Sequence, residues 1–160
     1  PRQEATRLPG RDAHSPSAAG EEEAHREPRL IELDTNVLVR LLVRDDEAQA
    51  ARARRLLETC AESGETCLVS NPVLCELEWV LESVYHASRA EIASAVQALL
   101  STPPFQVEDA QATERALGMY TKGKGDFSDY LLCQVGRTRG ARTTYTFDRD
   151  LRKADGFTLL

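Results

Sequence analysis

Five carboxylates stand where the chain changes direction. Asp34 closes the apolar run Leu30-Ile31-Glu32-Leu33 and is followed at once by Thr35-Asn36 and an apolar helical pattern. Glu76 lies in the helix after a second apolar run, Asp126 and Asp129 share one side of the first turn of a late helix, and Asp148 directly follows the β-branched and aromatic run 143–147. In a parallel sheet these positions share the edge where strand ends and helix amino termini meet ligands. Clustered carboxylates repel one another unless a cation neutralises them. Oxygen-only ligation, with no histidine or thiol beside it, favours Mg²⁺ or Mn²⁺ over zinc. An ion held this way lowers the pKa of an attacking water and stabilises charge on a phosphoryl oxygen, the chemistry of hydrolytic phosphodiester cleavage.

No histidine is placed to act as a base: His14 and His25 fall in an amino-terminal tail, His86 ends a helix, and all three read as surface residues. Each acid also has an ordinary explanation. Asp34, Asp126 and Asp148 can simply cap helices, and Glu76 can be a solvated helix residue. Independent caps need not all fall at one sheet edge, so the joint pattern argues for a site.

The intervening chain supplies elements to position them. Strands are expected at the Asp34 run, at 66–70, at Phe105 to Val107, at 143–147 and at the carboxyl end from Phe157. Between them come helices from Val37 to Val43, from Asp45 to about Cys60, from Val73 to Tyr85, from a capping box at Ser88-Arg89-Ala90-Glu91 to about Leu100, from Ala110 to Tyr120, and from Asp126 to about Arg139, followed by a short last helix. This alternation predicts a parallel sheet with helices on both faces. In the helix from Val73 the apolar face is read as Val73, Leu77, Val80, Leu81 and Val84; Glu76 and Glu78 flank it equally, and periodicity does not choose between them. Lys122-Gly123-Lys124-Gly125 reads as a flexible basic loop.

With 160 residues, 41% of them apolar, the chain has room for one domain with a substantial core. Residues 1–28 are rich in Pro, Gly, Ser, Ala and charge, so a disordered extension is expected there, with the folded domain at 29–160. A net charge of −6 disfavours a general nucleic-acid coat and requires any RNA to be met by locally placed Arg and Lys. Cys60, Cys67, Cys75 and Cys133 show no CxxC pairing and read as reduced, mostly buried thiols. No apolar stretch approaches the roughly 18 residues that span a bilayer, so no membrane contact and a cytoplasmic location are expected.

Four segments, Asp34-Thr35-Asn36-Val37-Leu38, Cys75-Glu76-Leu77-Glu78-Trp79-Val80-Leu81, Gly125-Asp126-Phe127-Ser128-Asp129-Tyr130-Leu131-Leu132 and Thr146-Phe147-Asp148-Arg149-Asp150-Leu151, together resemble the PIN-domain family and, within it, the VapC-type ribonuclease toxins of toxin–antitoxin pairs. The resemblance covers about Leu30 to Leu160. It implies an α/β fold, a three-layer α/β/α sandwich with a central mainly parallel sheet, and a metal-dependent endoribonuclease using Mg²⁺ or Mn²⁺. Carried over by position, it makes Asp34, Glu76 (not Glu78), Asp129 and Asp148 the catalytic and metal-binding acids, with Asp126 as an additional candidate and Asn36 and Thr146 as supporting hydrogen-bonders. Substrate contact would fall to Arg40, Arg44, Lys122, Lys124 and Arg149. The family implies an RNA substrate, a cognate antitoxin protein and a homodimer; exposed apolar side chains such as Trp79 could serve such contacts, or pack in the core. The competing readings are a PIN-like module that binds RNA or protein without catalysis, and an aspartate-based phosphatase. The latter wants an acid where Asn36 stands and a late lysine that is not found.

Overall fold

The computed structural model describes residues 29–160; the extension expected at 1–28 lies outside them. Within that span the chain alternates strand and helix. β1 (Leu30–Glu32) leads through α1 (Thr35–Val43) and α2 (Glu47–Ser63) to β2 (Thr66–Val69), and α3 (Asn71–Ser83) and α4 (Arg89–Ser101) lead on to β3 (Phe105–Val107). Then come α5 (Ala110–Tyr120), α6 (Phe127–Thr138), β4 (Thr144–Thr146), a single 3₁₀ turn at Arg149–Leu151 and β5 (Phe157–Leu159). The expected α/β alternation holds, with boundaries shifted by a residue or three and the last helix reduced to one 3₁₀ turn.

Every strand pairing is parallel, but the strands form two groups. β2 lies between β1 and β3, with Ile31 opposite Cys67 and Cys67 opposite Phe105, while β4 pairs with β5, Tyr145 opposite Thr158. The first ladder continues one residue past β1, where the Leu33 N–H donates to the Leu68 carbonyl at 3.0 Å. That bond places Asp34 at the strand's carboxyl end. β1 is less covered than its apolar sequence suggests: Leu30 is exposed and Ile31 half-buried, because β2 pairs with only one edge and Leu33 alone points fully into the core.

One apolar cluster unites the helices with the first sheet, running from Leu33 and Leu38 through Leu74, Leu77 and Ile92 to Phe127 and Leu151. α5 packs along α6, and Tyr120 meets Phe127 edge-on at 5.9 Å between ring centres. The Arg89 guanidinium lies 3.8 Å above the Tyr120 ring and donates to the carbonyls of Tyr120 and Gly125. The loop between α5 and α6 is therefore tied at both ends and is not the flexible tether that its Lys-Gly-Lys-Gly composition suggests. Gly64 ends α2 in the left-handed region at φ 70°, where a side chain would be strained. All four cysteines are free; Cys60, Cys67 and Cys133 are buried, and burial beside Cys60 pushes the Cys67 thiol up to about 12. Among the described residues no helix is long and apolar enough to cross a membrane.

α3 departs most from the sequence reading. Its buried stripe is Leu74, Leu77, Glu78 and Leu81, spaced i, i+3, i+4, i+7, and Val84 is exposed. The face is rotated because α3 is packed against α1, α4 and α6 together, not against a single neighbour. Rotation separates the two glutamates: Glu78 turns inward, 4% exposed, and Glu76 stays at the rim. The Glu78 carboxylate accepts the N–H of Phe127 and, at 2.7 Å, the N–H of Ser128, closing the otherwise open amino end of α6. Burial holds its pKa above the ordinary value, against the two N–H bonds that pull it down.

Two outcomes follow for stability. Leu74→Ala lowers the unfolding free energy by about 2–5 kcal/mol in urea titrations, since Leu74 is fully enclosed. Glu78→Ala lowers it by about 1–3 kcal/mol by stranding two N–H groups, and Glu78→Gln, which keeps one acceptor oxygen, costs less. A raised folded pKa means that this group's contribution is full below the unfolded value and is lost as pH rises through the folded one; urea midpoints across that range should fall more steeply in wild type than in Glu78→Gln.

Candidate metal centre

Each predicted acid is set by its local backbone. Asp34 precedes α1 in extended conformation (φ −74°, ψ 151°), and its Oδ1 accepts the Asn36 N–H at 2.8 Å. Asp148 does the same before the 3₁₀ turn, its Oδ1 accepting the Asp150 N–H at 2.9 Å while its own N–H donates to the Thr146 hydroxyl at 3.0 Å. Asp129, one turn into α6, accepts the Asp126 N–H on Oδ2 at 3.1 Å. Glu76 reaches from α3 towards α1, where its Oε2 accepts the hydroxyl proton of buried Thr35 at 2.6 Å. The capping readings considered for these acids are thus correct as far as they go. Each cap, however, occupies a single oxygen. Among the described residues the second oxygen of Asp34, Glu76, Asp129 and Asp148 has no hydrogen-bond donor.

The elements carrying these acids adjoin. α3 touches α1 on one side and α6 on the other. Thr35, the residue after Asp34, holds Glu76. Burial raises the pKa of Cys75, beside Glu76, and the charges of Glu78 and Asp129 add to the rise. Asp129 in turn is raised first by burial and then by the charges of Asp126 and Asp148. The elements that carry Asp34, Glu76 and Asp129 are therefore in contact with one another. As the side chains stand, no three Asp, Glu, His or Cys side chains among the described residues converge on one point as a ready-made ion cage.

Nothing basic answers this charge. The ion pairs of the described residues join Arg29 to Glu65, Arg40 to Asp45, Arg54 to Glu47 and Arg137 to Asp155, and none involves Asp34, Glu76, Asp126, Asp129 or Asp148. An all-oxygen donor set without a protein counter-charge fits a hard divalent cation and fits zinc poorly.

The supporting residues are placed unevenly. Thr146 steadies Asp148 as expected. Asn36 contributes its backbone N–H to Asp34, while Thr35 supplies the side-chain tether that was expected of Asn36. Thr35 and Glu78 make the two long-range carboxylate bonds that the sequence reading did not foresee. A hydroxyl directly after a strand-ending acid, and a glutamate completing the Leu74, Leu77, Leu81 stripe, were the signals for them.

The five basic candidates divide. Arg40 is spent on the fold: its guanidinium grips both oxygens of Asp45 at 2.6 and 2.8 Å, and also Gln49 and the Tyr85 hydroxyl. It braces α1 against the start of α2 and the end of α3. Arg44 caps α1 in the left-handed region at φ 59° and is exposed. Lys122, Lys124 and Arg149 line one common cleft. His86 is exposed, as expected, whereas His14 and His25 lie outside the described residues; Trp79, on α3, is 62% exposed and not part of the core.

Comparison with known proteins agrees with this architecture. The PIN domain model matches residues 31–157. A VapC ribonuclease from Aquifex aeolicus (strain VF5) is 29% identical over 121 residues, which cover 76% of this chain and 89% of that protein. No solved structure matches the chain significantly. With a family model spanning most of its length and the strand-end acids in place, the chain belongs to the PIN-domain family.

Proposed function

We propose that this PIN domain is a ribonuclease of the VapC type, a divalent-metal-dependent endonuclease that hydrolyses RNA phosphodiester bonds and acts as the toxin of a toxin–antitoxin pair. The observation that carries this reading is the pattern of oxygens. Four carboxylates are each fixed through one oxygen, each keeps the other without a donor, and none has a basic partner among the described residues. A purely structural set of caps would have no need to leave that much negative charge unanswered on adjoining elements. The similarity to the Aquifex aeolicus VapC ribonuclease supports the choice of RNA.

On this reading Asp34, Glu76, Asp129 and Asp148 hold the ion, Mg²⁺ or Mn²⁺, with Asp126 close enough to add charge. When bound, the ion lowers the pKa of the attacking water and offsets charge on the phosphoryl group. The chain's own residues hold the acids: Thr35 bonds one oxygen of Glu76, Thr146 and the 3₁₀ turn hold Asp148, and Glu78 ties the start of α6, the helix that carries Asp129. Exposed apolar side chains, Trp79 on α3 and Tyr145 and Phe147 on and after β4, offer surface for an antitoxin protein or a second copy of the chain. The protein is assigned to the cytoplasm, where its RNA substrate lies.

Asp129→Asn and Asp34→Asn should each reduce RNA cleavage at least a hundredfold, several kcal/mol of transition-state stabilisation at about 1.4 kcal/mol per tenfold, with the thermal midpoint little changed. Chelation with EDTA should abolish cleavage and added Mg²⁺ or Mn²⁺ restore it. RNA binding without cleavage in wild type, under any divalent ion, would instead identify a binding module.

A further inference from the structure

The carboxylates leave unexplained a second charged feature beside them. Lys122, Lys124, Arg149, Arg152 and Lys153 line a cleft of about 330 Å³ between the α5–α6 loop and the 3₁₀ turn, with Asp150 as its single acid. None of the five cations is in an ion pair among the described residues. Five like charges around one hollow, in a protein of net charge −6, are unfavourable unless an anion enters.

The floor of the cleft is built, not incidental. Tyr130 is 1% exposed, and its hydroxyl accepts the Gly125 N–H at 3.2 Å, which leaves the hydroxyl proton itself without an acceptor among the described residues. Gly123 is obligatory beneath it, since a Cβ there would lie 1.9 Å from the Tyr130 hydroxyl oxygen. Arg89 fastens the loop through the carbonyls of Tyr120 and Gly125, so Lys122 and Lys124 are presented on a fixed wall. Both walls run straight into the acidic site: Lys124 is two residues before Asp126, and Arg149 is the residue after Asp148.

We propose that this cleft is a phosphate subsite for single-stranded RNA, receiving a backbone phosphate that flanks the one at the acids. It rests on the ribonuclease reading for its substrate. The cations supply affinity without reading bases, and the Tyr130 hydroxyl donates to a phosphate oxygen at the bottom of the cleft. An unpaired strand is flexible enough to lower one phosphate to the tyrosine floor, which makes unpaired segments the ligand assigned to the cleft. Arg152 and Lys153 thereby join the substrate contacts, although neither stands in the four family segments.

The test measures binding of a fluorescent ten-nucleotide single-stranded RNA across a salt series, in Mg²⁺, using this 160-residue chain with Asp129→Asn so that the RNA stays intact. Adding Lys124→Gln with Arg152→Gln, both exposed positions, should weaken binding about tenfold near 0.1 M salt and flatten the slope of log K against log salt by about 1.4, at about 0.7 per lost phosphate contact. Arg54→Gln with Arg55→Gln on α2 changes the net charge equally and should do neither. Tyr130→Phe should weaken binding with the slope unchanged, and inorganic diphosphate should displace the RNA. The proposal is overturned if the cleft pair behaves like the α2 pair, or if a glutamate-rich peptide occupies the cleft more tightly than RNA. The two readings fail separately: if the chain with Asp129 intact never cuts RNA while the cleft pair still costs affinity, the nuclease assignment falls and the phosphate subsite stands.

Discussion

A carboxylate buried in one helix closes the open end of another, and the site depends on that closure. Glu78 is almost wholly enclosed, and a buried charge is tolerable only with strong partners. Its partners are the first N–H groups of α6, where the helix dipole adds to the attraction. The bond has two consequences at once: it locks α3 to α6 across the core, and it sets the axial position of the turn that carries Asp126 and Asp129. It adds a directional bond to the apolar packing that already holds α6 against α3.

Around this fixed joint the remaining acids follow an economical rule. One oxygen of each is used to hold the side chain in place through a cap or a hydroxyl, and the other is kept available. Capping and ligation are usually weighed as alternatives for an aspartate at a helix start. Here they are two halves of one carboxylate. The local bond limits rotamer freedom, so the entropy of ordering the group is lost on folding and not on binding. No ion pair among the described residues involves these acids, while Lys122, Lys124 and Arg149, close to Asp126 and Asp148 in sequence, line a cleft of their own.

Much of this was legible in the residues. The alternation of strands and helices, the strand-end positions of Asp34 and Asp148, and the capping roles at Asp34, Ser88 and Asp126 are local properties, and local rules report them. What the sequence could not convey depends on three-dimensional company. The face of α3 was misjudged because valines 73 and 84 look as apolar as Leu74 until three neighbouring helices decide which side is enclosed. The bonds from Arg40 to Asp45 and Tyr85 were hidden for the same reason, since these partners lie 5 and 45 residues away along the chain. The grouping of the strands into three and two was equally hidden, since pairing partners depend on how the crossovers close. Arg152 and Lys153 belong to the cleft only because the 3₁₀ turn swings them against the α5–α6 loop.

The division of labour between Glu76 and Glu78 makes α3 intolerant of a change in length. Neighbouring positions on a helix differ by about 100° around its axis. Inserting or deleting one residue between Glu76 and Glu78 would swing one glutamate out of the interior or the other away from Thr35, so that clamp and rim could not both be kept. Relatives that descend from this arrangement should therefore accept insertions in the loops flanking α3 and preserve the spacing inside its first two turns.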